Sequence, residues 1–206
     1  MMVLEALMHW VYSSPEITWT FFLVSFFLVG LLLKFVDAAL DDGLASKKRA
    51  FVIACLLAVV VAALMVISDM TMIAFTGVLL GVIIARKVDN LTFVAGTFLC
   101  AAVFFILGGT IQPLLTNTPV FAIIFLAIVL EEKVDYKKEK WFKTKKGKAF
   151  SFFFEYGFML KIAAFVAFMI LTFQPLFFLA LLLFDFGYDA MLIAVHKKLG
   201  KGILWV

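Results

Sequence analysis

Two aspartates, Asp185 and Asp189, stand inside an apolar run near the end of the chain, LFFLALLLFDFGYDAMLIAV. Four residues separate them, about one helical turn, so both carboxylates lie on one helix face. A second run, residues 150–173, holds Glu155 and Lys161 among aromatic and aliphatic side chains. An ionised group at the centre of a bilayer costs about 2.5–3.5 kcal/mol on insertion scales, so such groups face the bundle interior, find partners or mark an ion path. The chemistry these residues suggest is binding of a cation or proton by carboxylates, with lysine as the internal counter-charge.

Depth follows from counting. Asp189 precedes His196 by seven residues and Asp185 by eleven, which places them roughly 10 and 16 Å from the inner boundary at ~1.5 Å per residue. Glu155 and Lys161 come to roughly 8 and 16 Å by the same count. Gln174-Pro175 reads as a tight turn, which makes the last two apolar segments antiparallel neighbours. Lys161 then falls level with Asp185 and forms the natural pair, and Glu155 lies nearly level with Asp189. Lys34 and Asp37 add a pair of charges at the end of the first apolar segment, an entrance to the same inner-half cavity.

These residues need elements that carry them through lipid. Hydrophobic residues make up 66% of the chain and charged ones 16%, with a mean hydropathy of +1.15. A soluble domain has about 45–50% and 25%, so the fold class expected is all-α, a polytopic transmembrane helical bundle. Apolar stretches over residues 17–39, 49–67, 70–88, 91–114, 118–134, 150–173 and 175–195 predict seven spans. Each approaches the ~20 residues that cross ~30 Å of hydrocarbon. Residues 1–16 lack a basic leader and read as an interfacial amphipathic segment through Leu4, Met8, Trp10 and Val11. Residues 17–195 form the membrane domain, with a basic loop at 135–149, and residues 196–206 form a tail.

Charge alternates between the connections. Lys47, Lys48 and Arg49 follow the first span, Arg86 and Lys87 the third, a lysine-rich loop the fifth, and Lys197, Lys198 and Lys201 the seventh. The other connections carry Ser68-Asp69, Thr116-Asn117-Thr118-Pro119 and Gln174-Pro175, with no lysine or arginine. Positive loops mark the cytoplasmic side, so the amino terminus is expected outside and the carboxyl terminus inside, in the cell (plasma) membrane of a prokaryote. Lys34-Phe35-Val36-Asp37, Lys87-Val88-Asp89 and Lys133-Val134-Asp135 each close an odd-numbered span. Such a recurrence fits either a diverged hairpin repeat or the ordinary charged end of an inward-running helix. Gly77 and Gly81 form a small-xxx-small pair expected to pack, Gly187 and Gly157 should let helices approach, and Gly108-Gly109 should bend the fourth span.

The loop EEKVDYKKEKWFKTKKGK contains Lys137, Lys138, Lys140, Lys143, Lys145, Lys146 and Lys148, with Trp141 and Phe142 among them. A polybasic run beside a span suits an anionic leaflet, each cation giving ~1 kcal/mol; no RNA-binding module surrounds it, so no nucleic-acid partner is expected. Cys55 and Cys100 sit alone in apolar runs and form no metal or disulfide framework. Nucleophile, Walker and zinc-protease motifs are absent, and Asp42-Gly43-Leu44-Ala45 is followed by Ser46, which departs from the pattern of lipid-headgroup transferases.

Three functions fit. The first is a small secondary transporter or channel for a cation or proton-coupled solute, with a cavity lined by Asp185, Asp189, Glu155, Lys161, Lys34 and Asp37. The second is a membrane enzyme acting on a lipid or prenyl phosphate. There Asp37, Asp41, Asp42, Asp89, Asp135 and Asp189 would hold Mg²⁺, and Lys34, Arg49, Arg86 and Lys87 would neutralise phosphate. The third is a non-catalytic subunit of a membrane complex or homo-oligomer, whose charges meet a partner helix.

Overall fold

A computed structural model describes residues 2–84, 90–135, 158–172 and 174–198, and over these the chain is almost wholly helical, with short turns between the helices. A short α1 (Met2–Val11) leads into α2 (Pro15–Asp41), α3 (Lys47–Ile67), α4 (Asp69–Ile84) and α5 (Leu91–Ile106). A five-residue α6 (Gln112–Thr116) precedes α7 (Thr118–Asp135); α8 (Phe158–Ala164) continues as a π-helical segment, Phe165–Leu171, and α9 (Pro175–Lys198) ends the described chain. Among the described residues there is no strand. Three helices are long and apolar enough to cross a membrane: α2, α3 and Pro175–Val195 of α9. Shorter apolar helices occupy Asp69–Ile84, Leu91–Ile106, Thr118–Glu131 and Met159–Leu171.

Helix ends follow local chemistry. Ser14 caps α2, accepting from the Ile17 amide, with Pro15 at the first helical position, where its missing N–H costs nothing. Ser46 does the same for α3 through Arg49, and Asn90 for α5 through Thr92. Gly108 ends α5 in a left-handed conformation (φ 89°). The Gly108 amide donates to Phe105 and the Gly109 amide to Phe104, the paired bonds of a Schellman stop. The span expected over 91–114 therefore terminates at Ile106: the two glycines stop the helix instead of bending it.

Packing is built on close helix crossings. The most extensive contact joins α2 to α9, the first and last long helices. Phe22 meets Phe177 and Phe27 meets Phe186, so the two run parallel. At their crossing a Cβ on Gly30 would collide with the Phe184 carbonyl, and one on Gly187 with the Phe27 carbonyl. Each glycine thus lets the partner's backbone in. A second parallel pair forms between α4 and α7, where Gly77 faces Ile124 and Gly81 faces Ile128; a Cβ on Gly81 would lie 2.6 Å from Ile128 Cγ2. The small-xxx-small pair of the sequence is thus a packing device. Next, α3 packs on α5, α2 and α4, and α8 packs on α7. The buried core is almost wholly apolar, centred on Phe22, Phe26, Ile73, Ile124 and Phe168. At the other end of the chain α1 rests Leu4, Leu7 and Met8 on this core, and the Tyr12 hydroxyl donates to the Ile67 carbonyl at 2.9 Å.

Candidate charge-pair site on the last helix

Helix α9 carries charge contacts to two different neighbours. Its sequence puts Phe184, Gly187 and Tyr188 toward α2, while Asp185 is turned toward α8. Lys161 Nζ lies 2.5 Å from Asp185 Oδ2, with the side chains 29% and 23% exposed. The pair expected from counting depths along two antiparallel helices is present, and Phe165–Phe178 and Phe168–Phe177 ring contacts confirm that α8 and α9 pack antiparallel. Asp185 lies ten residues into a 24-residue helix, so near the middle of a rod about 36 Å long. An ion pair placed there removes two isolated charges from the apolar region at once.

Asp189 follows one turn later. It is exposed at the bundle surface and within the electrostatic reach of both Asp185 and Lys161. Glu155, expected level with it, lies outside the described residues, as does Gly157. The backbone beyond Lys161 is irregular: Phe165–Leu171 takes the wider π-helical turn, and the Thr172 hydroxyl and Gln174 amide bond back to carbonyls of Ala167 and Phe168. π-Helical turns interrupt the regular ladder and recur at functional positions.

On the α2 side, Lys34 Nζ lies 2.5 Å from Asp37 Oδ2, with the side chains 15% and 28% exposed. The Tyr188 hydroxyl donates to the same Asp37 oxygen at 3.3 Å, and Lys34 sits 4.9 Å from the centre of the Tyr188 ring. Carboxylate, ring face and ammonium form one group, in which the aromatic quadrupole and the carboxylate both favour the cation. Tyr188 is the residue that sequence reading missed, although the FDFGYD motif contains it. Its partner is 151 residues away, and only the parallel α2–α9 contact brings them together. Glu131 accepts from the Leu160 amide at 3.2 Å and so ties α7 to α8.

The carboxylates proposed for Mg²⁺ divide. Asp37 is held by Lys34 and Tyr188, Asp41 and Asp42 are exposed at the end of α2, and Asp189 belongs with Asp185. Asp89 lies outside the described residues, and so does the side chain of Asp135. Among the described residues no three His, Cys, Asp or Glu side chains gather closely enough to hold a metal ion. Arg86, Lys87 and the loop lysines Lys137 to Lys148 also fall outside the described residues. A crevice bounded by α2, α3, α4, α5 and α9 is apolar, with Thr92 and Thr97 its polar members, and the acidic side chains do not line it. Comparison with protein families, with curated proteins and with solved structures finds no match to this chain.

Proposed function

We propose that this chain is a seven-span membrane protein, amino terminus outside and carboxyl terminus cytoplasmic, that passes a cation or a proton-coupled solute by way of Lys161, Asp185 and Asp189. The observation that carries this reading is the Lys161–Asp185 ion pair midway along a helix long enough to cross a bilayer, with a second carboxylate one turn nearer its basic end. Two further features support the span count. The parallel pair α2 and α9 is separated by five apolar helices, and the parallel pair α4 and α7 by one, α5, if the five-residue α6 is set aside. An odd number between parallel partners is what alternation across a membrane requires.

In this reading a proton or cation that neutralises Asp185 releases Lys161, and Asp189 is the next carboxylate within its reach. The π-helical turn beside Lys161 gives α8 the backbone freedom for that exchange. Lys34, Asp37 and Tyr188 hold α2 against α9 while the other face of α9 switches.

The test uses purified protein in liposomes loaded with a pH-sensitive dye, under imposed Na⁺, K⁺ and pH gradients. Flux should be present in the wild type, abolished by Asp185→Asn and at least about tenfold lower in Asp189→Asn, a loss equivalent to ~1.4 kcal/mol of barrier. Undiminished flux through a correctly folded Asp185→Asn variant would overturn the assignment.

A further inference from the structure

A cleft of about 520 Å³ opens where the end of α2, the start of α3 and the end of α9 meet. Its walls bring together Lys48 and Arg49 from the first turn of α3 and Lys198 from the last residue of α9. Phe35, Val52 and Ile53 form an apolar floor, and no carboxylate lines the cleft among the described residues. Three like charges from two separate helices repel one another, and a site of this kind gains stability when an anion enters. The apolar floor adds a second requirement. A hydrated inorganic anion gains nothing from Phe35, Val52 and Ile53, whereas an amphiphile places its phosphate among the cations and its glycerol and first methylenes on the floor.

We infer that this cleft binds the phosphate headgroup of an anionic membrane phospholipid. The occupant is a lipid because charge and apolar surface are presented side by side, at the end of three helices of which all are long and apolar enough to cross a bilayer. The site is built from α2, α3 and α9, and it does not depend on the transport reading. Occupancy would pin the end of α9 to the start of α3, two elements whose remaining contacts are few.

The experiment uses the full chain in detergent and native mass spectrometry with dioleoylphosphatidylglycerol, dioleoylphosphatidylcholine and inorganic phosphate as probes. The wild type should retain phosphatidylglycerol in preference to phosphatidylcholine. Lys48→Gln/Arg49→Gln/Lys198→Gln should lower that retention by roughly a hundredfold, at ~1 kcal/mol per cation. Lys47→Gln/Lys197→Gln removes exposed neighbouring cations that do not line the cleft and should leave most of the retained lipid in place. Should the triple cleft variant fail to fold, Lys198→Gln alone, at a helix end, should give a partial loss of about fivefold. The inference fails if the cleft variants keep the lipid, if Lys47→Gln/Lys197→Gln loses it to the same extent, or if inorganic phosphate at the lipid's concentration displaces it. Equal retention of phosphatidylcholine would also overturn it.

Discussion

The two faces of α9 hold charge in different ways. Toward α2, backbone meets backbone: Gly30 and Gly187 interlock with the carbonyls of Phe184 and Phe27, and Lys34, Asp37 and Tyr188 close the seam just beyond. Toward α8, the contact is made by side chains, with Lys161 bridging to Asp185 and Asp189 left exposed beside them. A seam locked by backbone has no second arrangement, because no rotamer change can open it. A seam made by a lysine on a flexible stem has several. Rigidity on one side and freedom on the other is the arrangement that the proposed exchange of the ion pair would need.

The largest effect should come from breaking the rigid seam. Gly187→Val drives a branched side chain into the Phe27 carbonyl and should cost about 3 kcal/mol or more, at the upper end for overpacking. Loss of the folded fraction in a denaturant titration in detergent would show it, and a variant as stable as the wild type would mean that the seam can adjust. Next comes the adjustable side. Lys161→Met strands Asp185 near the helix centre and should destabilise by about 2–3 kcal/mol, less than for a fully buried pair because both groups are partly exposed. Adding Asp185→Leu should restore most of that loss; a double variant as weak as the sum of the singles would show that the two residues do not couple.

A smaller change separates the ring of Tyr188 from its hydroxyl. Tyr188→Phe keeps the face toward Lys34 and removes the donor to Asp37, for about 0.5–1.5 kcal/mol, with flux reduced less than in Asp185→Asn. Equal loss of flux in both would place the α2 seam in the pathway itself. Smallest is a contact at the other end of α2 from Lys34 and Asp37. Burial holds the Tyr12 phenol above its ordinary range, with the Ser68 hydroxyl drawing it down and Asp69 adding to the rise. The folded state therefore keeps its proton where the unfolded chain loses it, so the contribution is whole below about pH 10 and fades as pH climbs through the raised value. Thermal melting from pH 8 upward should show a shallower alkaline decline for Tyr12→Phe than for the wild type.

Much of this was legible in the sequence wherever the signal is local. Apolar runs predicted the helices, and depth counting along two segments joined by Gln174-Pro175 paired Lys161 with Asp185. Gly77 and Gly81 announced a packed face because four-residue spacing aligns them on one side of a helix. What escaped depends on distant partners. Nothing near Tyr188 says that α2 will lie parallel to α9, and nothing near Glu131 says that the Leu160 amide will be beside it. The stop at Gly108 was misjudged for a local reason: Gly-Gly inside an apolar run suits a bend as well as a left-handed end, and the hydrophobicity of Ile111, Leu114 and Leu115 concealed the break. The π-helical stretch has no signature in FVAFMIL.

That early stop has a consequence for the surroundings of the protein. Between its Asn90 cap and Gly108, α5 has 16 residues, about 24 Å of rod against ~30 Å of hydrocarbon. A segment short by several ångströms cannot make up the difference by tilting, since tilt shortens its projection further. On the seven-span reading proposed above, the two leaflets would be drawn toward each other where α5 faces lipid and the acyl chains there compressed, at a fraction of a kcal/mol per ångström of mismatch. One flank of the molecule would then wear a shallow dimple in the membrane, and thinner bilayers would suit it best.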